Sequence, residues 1–174
     1  RHQMRSENWL RAFFRLTASN PPRYGGYIVH LSVVIMALGI TGSMFYPLET
    51  TATLKPGETV SIGRYTLKFE GASEYQTQSK QVQASTLTVY NGSEYLGTVT
   101  PERYIHRNHD NPVTEAAIRS TLREDLYVIY GGKNPDGTTT FKIKVNPMVL
   151  WIWIGWGVML VGSAVAFWPE MKKR

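Results

Sequence analysis

The chain has 174 residues, enough for one domain of ordinary size plus a few further elements. It contains no cysteine, which excludes disulfides, thiol exchange and thiolate metal sites within this chain. Its mean hydropathy of -0.23 is typical of a soluble protein, but the average conceals two stretches, 24–48 and 145–169, that lack Asp, Glu, Lys and Arg. A helix crosses the hydrocarbon layer with roughly 20 apolar residues. The sequence therefore predicts two transmembrane helices.

The formal net charge of +6 is concentrated at the two ends of the chain. Residues 1–23 carry five Arg and one Glu, residues 170–174 carry three basic residues and one Glu, and residues 47–145 are neutral overall. Basic flanks mark the cytoplasmic side of membrane segments, so we expect both termini in the cytoplasm and the middle segment outside. Because the basic residues outside the flanks form no stripe with interleaved aromatics, we expect no nucleic-acid binding.

The first 23 residues combine aromatic and basic side chains. Trp9, Phe13 and Phe14 alternate with Arg11 and Arg15, a pattern typical of a helix lying on the inner face of a lipid bilayer. A cytoplasmic loop between membrane helices is compatible with the same pattern. The predicted organisation is a cytoplasmic interfacial segment, a transmembrane helix, an external β-domain, a second transmembrane helix and a cytoplasmic tail, at residues 1–23, 24–46, 47–145, 146–169 and 170–174.

The two spans have recognisable boundaries. The prolines of SNPPRYGG should interrupt a preceding helix, which places the first span at about 25–46. The second is predicted at about 147–168, with Trp151 and Trp153 at its outer interface and Trp168 at its inner one. Glycines recur in both spans, and they would let neighbouring helices approach closely: Gly39, Gly42, Gly155, Gly157 and Gly162. Two spans alone use few such contacts, so we expect further helices upstream or in partners.

The middle segment has the alternation typical of strands. One run has five candidate inward positions, with a kink allowed at Gly63–Arg64: Val60, Ile62, Tyr65, Leu67 and Phe69. Asn91-Gly92 predicts a type I′ hairpin turn, and Asp136-Gly137 predicts a second turn. Residues 115–122 have helical propensity but fit a loop and strand equally well. We therefore expect a small, mainly β external domain, either a sandwich or a partly open barrel.

His30 is the sharpest functional candidate, because an ionisable residue within a membrane span is costly and usually faces a protein interior. Its imidazole could bind haem or a metal, carry a proton or hydrogen-bond a neighbouring helix, and the residues alone leave these alternatives open. His106 and His109, near Asp110, would make a metal site only with a third ligand that the sequence does not indicate.

The cluster at 119–125 could suggest acid–base chemistry through Ser120, Glu124 and Asp125. Arg119 and Arg123 lie beside these groups, however. Surface ion pairing is the interpretation that this spacing favours.

Four collinear segments resemble the C-terminal part of the CcmF/NrfE family of cytochrome c-type biogenesis proteins, the integral-membrane haem lyase subunits. They are RYGGYIVHLSVVIMALGITGS, LKPGETVSIGRYTLKFEG, TEAAIRSTLREDLYV and VNPMVLWIWIGWGVMLVGSAVAFWP. The resemblance implies that His30 is one axial ligand of a haem b buried among membrane helices, with the second ligand on an earlier helix that this chain lacks. The family's WWD segment is also missing, and Trp151, Trp153 and Trp156 do not replace it.

The resemblance further implies a bacterial inner-membrane protein that helps attach haem covalently to apocytochrome c. Its expected partners are a haem chaperone, thioredoxin-like and TPR-type apocytochrome-binding subunits, apocytochrome c itself and the lipid bilayer. On this interpretation the chain is a piece of a longer polytopic protein. The alternative is a non-catalytic, membrane-anchored β-domain that docks periplasmic partners.

Overall fold

The structure, a computed structural model, describes residues 17–106 and 111–168. Two helices, α1 (Pro21–Phe45) and α2 (Val149–Ala166), precede and follow ten strands. The chain separates into a helical unit and a β-domain, the latter spanning Gly42–Leu150. Most of the predicted interfacial segment, and the predicted tail at 170–174, lie outside the described residues.

Helix α1 begins earlier than the sequence predicts. Pro21 and Pro22 lie in its first turn, where proline is tolerated because the first helical N–H groups have no partner inside the helix. Asn20 caps this turn, since its Oδ1 accepts a hydrogen bond from the Arg23 N–H at 3.3 Å. The helix thus begins four residues before the span predicted at about 25–46. By length and composition, both helices are long and apolar enough to cross a membrane.

The two helices pack antiparallel through small residues. Gly162 lies against Val29 and Gly155 lies against Met36, so the contacts run in opposite chain directions. An added Cβ at Gly162 would lie 2.9 Å from the Val29 nitrogen, and one at Gly155 would lie 2.5 Å from the Met36 side chain. This confirms the predicted role of Gly155 and Gly162 in close helix approach, whereas a Cβ at Gly157 would meet no described atom within 4 Å.

The β-domain consists of two antiparallel sheets. Its strands are β1 (Leu48–Leu54), β2 (Thr59–Ile62), β3 (Tyr65–Gln76), β4 (Lys80–Asn91), β5 (Glu94–Val99), β6 (Glu102–His106), β7 (Val113–Glu115), β8 (Ala117–Ser120), β9 (Glu124–Lys133) and β10 (Thr139–Pro147). The first sheet has the order β1-β10-β9-β8. The second has the order β2-β3-β4-β6-β7, and β5 pairs with β4 beside it. Residues 115–122, left open between helix and strand, therefore lie mostly in strands.

The core lies between the two sheets and takes buried side chains from both. Phe69 of β3 packs edge-on against Phe141 of β10, with 5.0 Å between ring centroids. Of the five predicted inward positions, four are buried and Val60 is partly buried against the core. The mainly β domain is thus a sandwich, one of the two predicted alternatives.

Two predicted local features need correction. Gly63 and Arg64 form the two-residue turn of a hairpin in which Ile62 pairs with Tyr65, so the segment is two strands and not one kinked strand. The second hairpin turns at Gly92–Ser93, one residue beyond the predicted position, because Asn91 pairs with Glu94.

The turn type at the second hairpin also differs from the prediction. Gly92 has a φ of 60°, while Met148 is the only non-glycine residue with positive φ in the described part of the chain. A positive φ at the first central position alone is typical of a type II′ turn, whereas type I′ needs positive φ at both. The predicted turn around Asp136-Gly137 is present, with Gly137 at a φ of 83°.

Candidate functional site

His30 lies in the third turn of α1, on the face that points away from α2. Gly25 and Ser32 are buried on the side of α1 that packs against α2. With 3.6 residues per turn, His30 lies about 140° around the helix from Gly25 and about 160° from Ser32. His30 is accordingly exposed. Its side chain is directed to a face that no described residue covers.

The orientation of the His30 ring is set by its own helix. Its Nδ1 lies 2.8 Å from the carbonyl oxygen of Gly26. A carbonyl oxygen only accepts hydrogen bonds, so Nδ1 carries a proton, and in the neutral imidazole Nε2 then carries the lone pair. A histidine whose Nδ1–H is held by a backbone carbonyl is the arrangement in which Nε2 binds a metal. In the neutral ring Nε2 is therefore the nitrogen that could bind a metal.

The described residues contain no group of three or more His, Asp and Glu side chains that could hold a metal ion. His30 is therefore not part of such a cluster among them.

An apolar cavity of about 180 Å³ lies at the start of α1, lined by Thr17, Ala18, Pro21, Val165 and Trp168. Pro21 and His30 are nine residues apart, which puts them on opposite faces of the helix. The cavity is also smaller than the roughly 300–1,000 Å³ of typical cofactor pockets. It is separate from the His30 face.

The other predicted histidines do not form a described site. His106 ends β6, where its ring contacts Tyr104 edge-on at 5.2 Å between centroids. The Lys80 ammonium lies over the same Tyr104 ring, 4.1 Å from its centroid. His109 and Asp110 lie outside the described residues, as does His2.

The predicted ion pairing within 119–125 is wrong in its partners. Glu124 instead pairs with Arg64, whose Nε lies 2.7 Å from its Oε1, and Arg119 Nε donates a hydrogen bond to the Leu96 carbonyl at 3.3 Å. Arg64 also contacts Tyr65, because its Nη2 donates to the Tyr65 hydroxyl at 3.0 Å. Tyr65 and then Glu124 raise the pKa of Arg64.

Asp125 is not on the surface, as that prediction requires, but is 5% exposed. No described hydrogen-bond partner reaches its Oδ1. Burial raises the pKa of the Tyr127 phenol, and the nearby charge of Asp125 raises it further. The cluster is therefore part of the packing of the β-domain, and nothing in it resembles an acid–base pair.

Comparisons with known proteins agree on one family. Residues 45–147 match the family model described as the CcmF C-terminal beta-sandwich. The chain is 29% identical over 143 residues to a cytochrome c-type biogenesis protein CcmF of Pseudomonas aeruginosa, covering 82% of this chain and 22% of that protein. It is 30% identical over 155 residues to the cytochrome c-type biogenesis protein CycK of Rhizobium meliloti, covering 89% of this chain and 23% of that protein.

A solved structure of the cytochrome c haem lyase CcmF superposes with a TM-score of 0.75 at 23% sequence identity. The superposition covers 87% of this chain and 26% of that one. At this identity the likeness establishes the fold. The chain spans about a quarter of the length of the curated relatives that it matches.

Proposed function

Because the chain belongs to the CcmF C-terminal beta-sandwich family of cytochrome c-type biogenesis proteins, we propose that it works as the C-terminal portion of a haem lyase subunit. The whole protein would help attach haem covalently to apocytochrome c. Relatives of matching sequence carry the names CcmF, CycK and NrfE. A chain that spans about a quarter of these relatives would supply part of the subunit, and other segments would supply the haem-handling surface.

Within that subunit, His30 is proposed as one axial ligand of a transmembrane haem b. The observation that carries this proposal is the 2.8 Å hydrogen bond from His30 Nδ1–H to the Gly26 carbonyl, which leaves Nε2 as the donor atom. When bound, haem would supply one-electron chemistry. The chain's own contribution is to hold the imidazole in one tautomer and one orientation, on a helix face open to neighbouring helices.

The depth of His30 limits what such a haem could do. His30 is the tenth residue of α1, about 13 Å along the axis from its first residue at 1.5 Å per residue. With the N-terminus of α1 on the cytoplasmic side, as the basic flanks favour, His30 lies in the inner half of the bilayer. A haem at that depth would act in electron transfer or in structure, while haem attachment would take place on the outer face of the bacterial inner membrane.

The β-domain would lie on the outer face and would dock or cover partners there. The proposed partners are the haem chaperone, the thioredoxin-like and TPR-type apocytochrome-binding subunits and apocytochrome c. The lipid bilayer surrounds the two helices, whose outward faces are rich in exposed apolar side chains.

The test is the absorbance of the complete gene product that contains this chain, purified in detergent. We expect a Soret band with low-spin b-type features, which His30→Ala removes while the circular dichroism spectrum of the fold is unchanged. His106→Ala is the matched control, because it removes a histidine from the β-domain, and it should leave the band intact. A band that survives His30→Ala would overturn the assignment of the ligand. A wild-type protein without haem would favour the alternative of a non-catalytic docking module.

A further inference from the structure

Arg23 shares a helix face with His30. The two residues are seven positions apart, which places them within about 20° of each other around α1 and about 10 Å apart along its axis. Gly26 and Tyr27 occupy the intervening turn on the same side of the helix. The face therefore presents a cation, then a glycine and a phenol, and then the imidazole, in that order from the start of α1.

Arg23 is held by aromatic groups and not by an acid. Its Nε donates a hydrogen bond to the Tyr27 hydroxyl at 3.1 Å, and its guanidinium carbon lies 6.0 Å from the centre of the Tyr27 ring. Tyr27 is in turn buttressed edge-on by Tyr24, with 6.0 Å between centroids. Every ion pair found among the described residues lies in the β-domain. The guanidinium is thus oriented along the His30 face with donors left over for an anion.

A cation in this position opposes the local electrostatics of α1. The first turn of a helix carries the positive end of its dipole and favours acidic side chains, yet the first turn of α1 contains none. Arg23 therefore adds to a positive field at this end of the helix, which attracts an anion.

Gly26 provides a second, geometric indication. A glycine inside a helix costs about 1 kcal/mol relative to alanine, and Gly25 is explained by its contact with α2. A Cβ at Gly26 would meet no described atom within 4 Å. An open glycine one turn from His30, on the same face, is the place where a flat group could lie against the backbone.

We propose that Arg23, oriented by Tyr27, binds the carboxylates of the tetrapyrrole that His30 ligates, with the macrocycle lying over Gly26. This inference rests on the proposed function and deepens it: it fixes the direction in which the carboxylates point, toward the start of α1. Guanidinium groups pair with carboxylates through two parallel hydrogen bonds, and the axial spacing of His30 and Arg23 is comparable with the distance from the centre of a porphyrin to its carboxylates. The competing occupant of Arg23 is a lipid phosphate, which a snorkelling arginine would reach at the membrane surface.

The experiment uses the complete gene product that contains this chain, stripped of haem in maltoside micelles, which contain no phosphate. Haemin and its dimethyl ester are titrated separately, without added imidazole, so that no free ligand can replace His30. We expect Arg23→Gln to weaken haemin binding about tenfold, as loss of a charge-assisted hydrogen bond does, and to leave ester binding unchanged. Arg23→Lys should retain most of the affinity, and Arg119→Gln, a cation of the β-domain, should change neither titration.

A second readout is independent of affinity. Loss of the guanidinium leaves the carboxylate charge uncompensated, so Arg23→Gln should lower the midpoint potential of the bound haem. Equal affinities for haemin in wild type and Arg23→Gln, or equal losses for haemin and its ester, would overturn this inference while leaving the His30 assignment intact. A wild-type chain whose haem spectrum does not depend on His30 would instead overturn the proposed function, and this inference with it.

Discussion

Gly25 lies so close to Ala166 that an added Cβ would be 2.4 Å from the Ala166 backbone nitrogen. No flexible side chain separates the two positions, so the backbones themselves would have to move apart. Gly162 makes a similar approach to the Val29 backbone about one turn further along α1. The two helices can therefore approach this closely because glycines, which lack side chains, lie at their contact. Such small residues are common where helices pack in lipid.

Gly25→Val should disrupt this crossing, because overpacking a close contact costs about 1–3 kcal/mol. The thiol reactivity of a Ser32→Cys variant measures the approach, because Ser32 is fully buried where α1 meets Gly155 of α2, and this reactivity should rise in the Gly25→Val background. Gly157→Val is the matched control, since a Cβ at Gly157 meets no described atom within 4 Å. Unchanged reactivity in Gly25→Val would show that the helices do not meet at this position.

The hairpin between β4 and β5 gives a prediction that separates two turn types. Gly92→Ala should cost about 1–2 kcal/mol, because an L-residue at positive φ is strained. Asn91→Thr should change the free energy of unfolding by less than about 0.5 kcal/mol, because Asn91 lies in the strand and pairs with Glu94. Chemical unfolding followed by tyrosine fluorescence measures both. A large loss in Asn91→Thr would restore the type I′ turn that the sequence predicts.

The sequence predicts well whatever depends on local periodicity. The two apolar runs, the alternation at Tyr65, Leu67 and Phe69 and the two hairpins are visible because each follows from neighbours along the chain. The errors arise where two neighbouring residues are equally suited to a turn. Asn91 and Ser93 both fit a turn, and only the strand register shows that the two central residues are Gly92 and Ser93.

The site shows the same division. His30 is conspicuous in the sequence because a histidine interrupts an apolar run, but its Gly26 hydrogen bond and the face it shares with Arg23 require the helix to be built. The Arg64–Glu124 pair joins residues sixty positions apart, and their spacing carries no signal. The family resemblance supplied the haem interpretation, which the residues alone leave open.

Glu49 predicts part of the acid sensitivity of the β-domain. Hydrogen bonds from Lys142 and Lys144, both at 2.7 Å, lower the pKa of its carboxyl. The pKa of Glu49 is lower in the folded state than in the unfolded state. The stabilisation of the folded state by the Glu49 carboxylate is therefore present above about pH 4.5 and is lost as the pH falls through the folded pKa. Glu49→Gln should therefore reduce the loss of stability between about pH 5 and pH 3.

Urea unfolding at pH 7, 5, 4 and 3 measures this effect. Glu94→Gln, at the exposed start of β5, is the matched control and should follow the wild-type pH profile. Added salt should shrink the difference between Glu49→Gln and wild type, because exposed charges are screened within about 10 Å at 0.1 M. A Glu49→Gln profile parallel to wild type at low salt would show that the two lysines do not stabilise the folded carboxylate.

The membrane orientation gives the last prediction, which is that Ser93 faces outward and Lys173 faces the cytoplasm. Ser93 is exposed at the tip of the β4–β5 hairpin, and the chain has no cysteine of its own, so Ser93→Cys introduces a single thiol. The basic residues of the two flanks should stay in the cytoplasm, because their transfer across the membrane is unfavourable. An impermeant maleimide should therefore label Ser93→Cys in intact spheroplasts, and should label Lys173→Cys only after permeabilisation. The opposite labelling pattern would place the β-domain in the cytoplasm, and His30 would then lie in the outer half of the bilayer.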